Sequence, residues 1–191
     1  MTNFIIDVEA AGRTPMTGLM TEFGVVELET GESFYAHLYD TYPIKEGEPF
    51  IPQVVLDSDL APVKNPYITI TDTAGSKTTS YCQSFSEIVR ALKLWTQCYG
   101  DYSVAISDNN GFDMMWLNCF IDEYGDESTN MFFGHSSRRI GDLYSGYTGK
   151  FKNTSRWKKY RKTPHDHNPV NDALGNREAL LTILDKYDGN K

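Results

Sequence analysis

The run Asn3-Phe4-Ile5-Ile6-Asp7-Val8-Glu9 constrains this chain more than any other stretch. It reads as a strand, so Phe4, Ile6 and Val8 point to one face while Ile5, Asp7 and Glu9 share the other. Two acids about 6–7 Å apart along one face repel each other and resist burial unless a cation lies between them. Oxygen donors of this kind suit Mg²⁺ or Mn²⁺ rather than zinc. A strand end whose acids face water has the same local pattern. The other residues that the chain brings to this place therefore decide the matter.

A length of 191 residues predicts a single domain, 1–191, and a hydrophobic content of 40% excludes a disordered or collagen-like chain. There is no membrane-length apolar run and no signal-peptide pattern near the start, so a soluble cytoplasmic protein is expected. Cys82, Cys98 and Cys119 form no C-x-x-C pair and are expected as free thiols in the core. The net charge of −8 argues against nonspecific coating of nucleic acid. Lys150, Lys152, Arg156, Lys158, Lys159, Arg161 and Lys162 nevertheless cluster, with Phe151, Trp157 and Tyr160 between them. Cations that meet phosphates and rings that stack bases suit a single strand gripped with little sequence reading. A solvated basic face has the same composition.

In chain order, Ala10–Pro15 is a polar turn, and Thr21–Leu28 and Ser33–Tyr39 are strands joined by Glu29–Glu32. The sheet should therefore open with an antiparallel meander. Pro43, Pro49, Pro52, Pro62 and Pro66 make 40–82 an irregular insertion in which only Tyr67–Thr71 looks extended. Ser84 and Glu87 form a capping box for a helix that buries Phe85, Ile88, Val89, Leu92, Trp95 and Tyr99 and stops at Gly100. Tyr102–Ser107 is a strand, and Ser107–Gly111 turns it into a helix starting near Phe112-Asp113. Asp113 then lies just beyond the C-terminal end of a strand, where open α/β sheets place ligands. Met131–Phe133 and Arg139–Leu143 are short extended candidates. Asn171 is expected to cap a last helix, Asp172–Tyr187, with Leu180, Ile183, Leu184 and Tyr187 buried.

Asp7-Val8-Glu9, Asn109-Asn110-Gly111-Phe112-Asp113 and His167-Asn168-Pro169-Val170-Asn171-Asp172 resemble, in this order, the three exonuclease motifs of the DEDDh family. The five-residue step from His167 to Asp172 and the Ala that follows it also look like that family. Its members share the ribonuclease H-like fold and include DNA polymerase proofreading subunits, ribonuclease T and oligoribonuclease. The chain is similar as well to small exonucleases of phages and bacterial antiphage operons. Ala10 departs from the pattern, because many relatives carry Thr there.

The resemblance implies an α/β fold whose mixed sheet opens with an antiparallel three-strand meander and carries helices on both faces. It implies a 3′–5′ exonuclease that releases nucleoside 5′-monophosphates from single-stranded nucleic acid, DNA slightly ahead of RNA, with two Mg²⁺ or Mn²⁺ ions. Asp7 would bridge both ions, Glu9 and Asp172 would complete the site of the attacking water, and Asp113 would support the second ion. His167 would accept the water's proton, for which an imidazole is suited. Main-chain groups at Ala10 and Ala11, together with Phe112, would hold the 3′ nucleotide. Arg156, Trp157, Lys158, Lys159, Arg161 and Lys162 would receive the strand's phosphates and bases. Relatives of this size often act as homodimers. The other readings are an exoribonuclease, a noncatalytic nucleic-acid-binding module of the same fold, and a zinc hydrolase built on His165 and His167. The last lacks ligands at the usual zinc spacing.

Overall fold

A computed structural model describes residues 1–39, 66–127, 129 and 132–188. In chain order its elements are β1 (Thr2–Ala11), β2 (Leu19–Glu27), β3 (Ser33–His37), β4 (Tyr67–Thr71) and β5 (Lys77–Tyr81). They continue as α1 (Phe85–Gln97), β6 (Ser103–Ser107), α2 (Asn110–Tyr124), β7 (Arg138–Arg139), α3 (Ile140–Thr148), a 3₁₀ turn at Arg156–Tyr160 and α4 (Pro169–Asp188). The strands form one sheet in the order β5-β4-β3-β2-β1-β6-β7. The first five strands pair antiparallel, while β6 and β7 join in parallel on the far side of β1. This is the mixed sheet expected from the sequence.

The alternation in β1 divides the interior into two cores. Phe4, Ile6 and Val8 pack with α1 and α2 through Leu92, Trp95, Leu117 and Phe120. Ile5 lies on the opposite face with Val26, Ile106, Tyr144, Trp157, Leu180 and Ile183, under α3 and α4. Helices thus cover both faces, and Asp7 and Glu9 belong to the α4 side. Among the described residues no helix is long and apolar enough to cross a membrane.

Two features place these acids between the sheet end and the first turn of α4. β1 pairs with β6 only through Thr2–Ile5, so Asp7 and Glu9 run past the end of their parallel neighbour. Across the sheet Asp7 stands opposite Gly24, where an added Cβ would lie 2.6 Å from the backbone of Pro169. Only glycine lets the first turn of α4 approach the sheet this closely. Arg177 ties the same helix down farther along, donating from Nε to the Leu28 carbonyl (2.7 Å) and from Nη2 to that of Glu29 (2.8 Å).

Several local expectations change. β5 falls inside the stretch read as irregular, because Lys77-Thr78-Thr79-Ser80-Tyr81 is exposed throughout and carries no apolar alternation. Its hairpin with β4 is set by Asp72 Oδ1, which accepts from the N–H groups of Ala74 (2.9 Å) and Ser76 (2.8 Å). Arg139–Leu143 is not a strand. Pairing ends at Arg139, and α3 buries Ile140 and Tyr144 at helical spacing, a pattern that Gly141, Ser145 and Gly146 obscure. Phe132 and Phe133 lie in a turn, with Phe133 buried against Phe4, and Met131 lies outside the described residues. Asn168, not Asn171, caps α4: its Oδ1 accepts from the N–H groups of Val170 and Asn171, both at 3.1 Å. Pro169 then takes the first helical position. Of the cysteines Cys82 is buried, whereas Cys98 and Cys119 are exposed.

Candidate active site

Asp7 comes from the middle of β1, Glu9 from two residues before its end, Asp113 from the first turn of α2 and Asp172 from the first turn of α4. Asp113 is 3% exposed and Asp172 1%. The strand does not turn away after Glu9, as the sequence suggested, but continues paired to Ala11. Register slips between Glu9 and Ala10, leaving Thr21 as the extra residue, and its hydroxyl donates to the Glu9 carbonyl (3.0 Å). Such bulges re-aim side chains beside functional sites.

Two groups of oxygens result, each able to offer one ligand atom per residue within 4.8 Å of the others: Asp7, Glu9 and Asp172, and Asp7, Asp108 and Asp113. Asp7 belongs to both. Burial, then the charges of Asp113, Asp172, Glu9 and Asp108, push its carboxyl well above the usual range. Burial, with Asp172 and Glu22 next, raises Glu9 to about 8. Burial raises Asp113 to about 7, against the pull of the Ser107 hydroxyl and of backbone contacts at Asn109 and Val8. Asp113 Oδ2 is buried without a hydrogen-bond partner. A buried, unsatisfied carboxylate oxygen within a set of hard oxygen donors fits a divalent cation of the Mg²⁺ or Mn²⁺ kind.

The expected base, His167, stands at the rim. It is half exposed, its backbone is left-handed (φ +61°), and its Nδ1 lies 3.6 Å from Glu9 Oε1. His165 comes nearer to the acids, with Nδ1 2.5 Å from Asp172 Oδ2, and the two rings have centroids 4.5 Å apart. The structure therefore groups His165, His167 and Asp172 within 4.8 Å, although their sequence spacing is not that of a usual zinc site.

The basic tract divides. Trp157 is buried in the second core, its indole N–H donating to the Thr154 carbonyl (3.0 Å), and offers no face for a base to stack on. Arg161 points inward: Nη2 donates to Asp172 Oδ1 (2.7 Å), and a Cβ at Gly175 would meet its Nε at 2.6 Å. It anchors Asp172 and is not an open phosphate ligand. Lys158 reaches Asp108 Oδ2 at 2.8 Å. Arg156, Lys159 and Lys162 are exposed, and Phe151 is 92% exposed, so that ring presents the open stacking face that Trp157 lacks. Ala10 and Ala11 are buried in the β1–β2 ladder, and Phe112 is half-buried against Trp116.

Sequence reasoning missed Asp108 and the inward Arg161. Asp108 was absorbed into a turn between β6 and α2. Its position just past the end of a parallel strand beside β1 is the signal that could have marked it.

No protein-family model and no curated protein matches the chain. Among solved structures, a product-bound exonuclease I is similar with a TM-score of 0.52 and 13% identity, over 99% of this chain and 44% of that one. A zinc-bound complex of E. coli exonuclease I with single-stranded DNA has a TM-score of 0.48 and 11% identity, over 97% of this chain and 40% of that one. The chain shares the fold of the first of these, a ribonuclease H-like fold, and it spans less than half the length of either structure.

Proposed function

We propose that the chain is a metal-dependent exonuclease that removes nucleotides from the 3′ end of single-stranded nucleic acid as nucleoside 5′-monophosphates, with DNA favoured over RNA. One observation carries the reading: acids from three motifs far apart in sequence, Asp7 and Glu9, Asp113, and Asp172, meet around a shared, buried Asp7. Structural similarity to an exonuclease I whose structure holds product supports it at the level of the fold.

Asp7, Glu9 and Asp172 would hold one divalent ion, and Asp7 with Asp113 the other. When bound, such a pair stabilises both the attacking water and the leaving 3′ oxygen of an in-line displacement. His167, on the loop entering α4, takes the water's proton. Arg161 holds one oxygen of Asp172 and so fixes the direction of the other. Phe112, one residue before Asp113, packs against the terminal nucleotide, and the exposed Arg156, Lys159 and Lys162 meet phosphates farther along the strand.

The test is turnover of matched 5′-labelled single-stranded DNA and RNA with Mg²⁺ or Mn²⁺, beside an Asp113→Ala control. A ladder shortening from the 3′ end, absent in the control, is expected, and the faster substrate identifies the preferred sugar. Binding of either strand without cleavage would refute the hydrolytic reading in favour of the noncatalytic module.

A further inference from the structure

We infer that Asp108 is a third carboxylate ligand of the second divalent ion, with Lys158 as the cation that competes for it. The inference rests on the hydrolytic reading and adds a residue that none of the three motifs supplies.

Asp7, Asp108 and Asp113 each offer an oxygen within 4.8 Å of the others. Acids that close are not by themselves a site. The independent observation is Asp113 Oδ2, which is buried with no hydrogen-bond partner on a side chain only 3% exposed. A buried carboxylate oxygen left unsatisfied is costly, and a cation shared with Asp7 and Asp108 removes that cost.

The turn is built to keep Asp108 there. Arg139 Nε donates to the Asp108 carbonyl (3.0 Å), and the Ser107 hydroxyl donates to Asn110 Oδ1 (2.9 Å), so both sides of the residue are fixed. The Asp108 side chain is 18% exposed, whereas that of Lys158 is 53% exposed. An ion pair with so exposed a lysine contributes little, and it does not explain why a carboxylate is held facing Asp7 and Asp113. A metal ligand does.

The same basic segment serves both oxygen groups: Lys158 meets Asp108 and Arg161 meets Asp172. The two cations differ in kind. Arg161 is enclosed and contacts one carboxylate oxygen of Asp172, while His165 Nδ1 lies against the other. Lys158 sits on a flexible, half-exposed stem and contests an oxygen that the ion would use. Its ammonium can swing to a substrate phosphate when the ion takes Asp108.

The experiment is titration of the full chain with Mn²⁺, following free Mn²⁺ by its electron paramagnetic resonance signal, for wild type, Asp108→Asn, Lys158→Met and Glu9→Gln, with circular dichroism as a check on folding. Wild type is expected to bind two ions. Asp108→Asn should weaken one of them at least about tenfold and leave the other in place, since ligand number sets affinity at such sites. Glu9→Gln should weaken the other ion, and Lys158→Met should tighten the ion that Asp108→Asn weakens. Two ions of unchanged affinity in Asp108→Asn would overturn the assignment of Asp108. Unchanged affinity in Lys158→Met would overturn the competition. Wild type that binds no Mn²⁺ would overturn the hydrolytic reading as well, so the failures are distinguishable.

Discussion

Raising the pH of the protein in EDTA should destabilise it, because its central acids are buried against one another. Glu9 titrates near 8 in the folded chain against 4.5 for a free side chain, which at about 1.4 kcal/mol per pH unit corresponds to about 5 kcal/mol. Asp113, at about 7 against 3.8, corresponds to about 4 kcal/mol. Both values are raised, so the folded state holds more protons than the unfolded one between pH 4 and 8. The stability they contribute is complete below about pH 4, falls progressively above it, and is gone once pH has risen through 7 and 8. Protonating one acid relieves its neighbours, so the contributions do not add, and a total near 5 kcal/mol is expected. That is a large part of the roughly 5–15 kcal/mol that holds a typical domain together. Urea unfolding midpoints at half-unit steps from pH 5 to 8 measure it. Glu9→Gln should flatten the profile and be more stable than wild type at pH 8. Millimolar Mg²⁺ or Mn²⁺ should restore wild-type stability most at the high end, where the carboxylates are deprotonated and bind the ion. A flat wild-type profile in EDTA, or a Glu9→Gln variant weaker than wild type at pH 8, would refute the reasoning.

Three further substitutions test separate parts of the arrangement. Arg161→Met strands the buried Asp172 charge and should cost about 3–5 kcal/mol in urea unfolding without any nucleic acid present; a cost below 1 kcal/mol would return Arg161 to the strand-binding surface. Gly24→Ala forces a Cβ into the backbone of Pro169, so it should cost about 1–3 kcal/mol and lower turnover by displacing Asp172, and wild-type values in both assays would refute the close approach as a positioning device. His167→Ala should lower kcat about 10²–10⁴-fold while binding is retained, whereas His165→Ala, whose ring already engages Asp172, should lose less than tenfold. The reverse ranking in single-turnover kinetics would transfer the proton to His165.

The parts of this molecule legible in the sequence are those in which one local rule points one way. The alternation Phe4, Ile6, Val8 against Ile5, Asp7, Glu9 holds because a strand between two helical layers must divide its side chains strictly, and the two cores keep that division. The Ser84 cap and the stripe from Ile88 to Trp95 hold for the same reason. What stayed hidden depends on partners distant in sequence. Asn168 outcompetes Asn171 as a cap because Pro169 fixes the first helical turn, and Gly24, well over a hundred residues away, admits that turn against the sheet. Arg161 and Trp157 look like parts of a basic, aromatic binding tract until α4 and the second core claim them. Composition reports what a segment could contact, and packing selects what it does contact. The candidate site shows the same division. Its motif acids were legible because each lies in a short local pattern that resembles a known family's, while Asp108 and Lys158 become visible only once β6 lies beside β1 and the 3₁₀ turn brings Lys158 to Asp108.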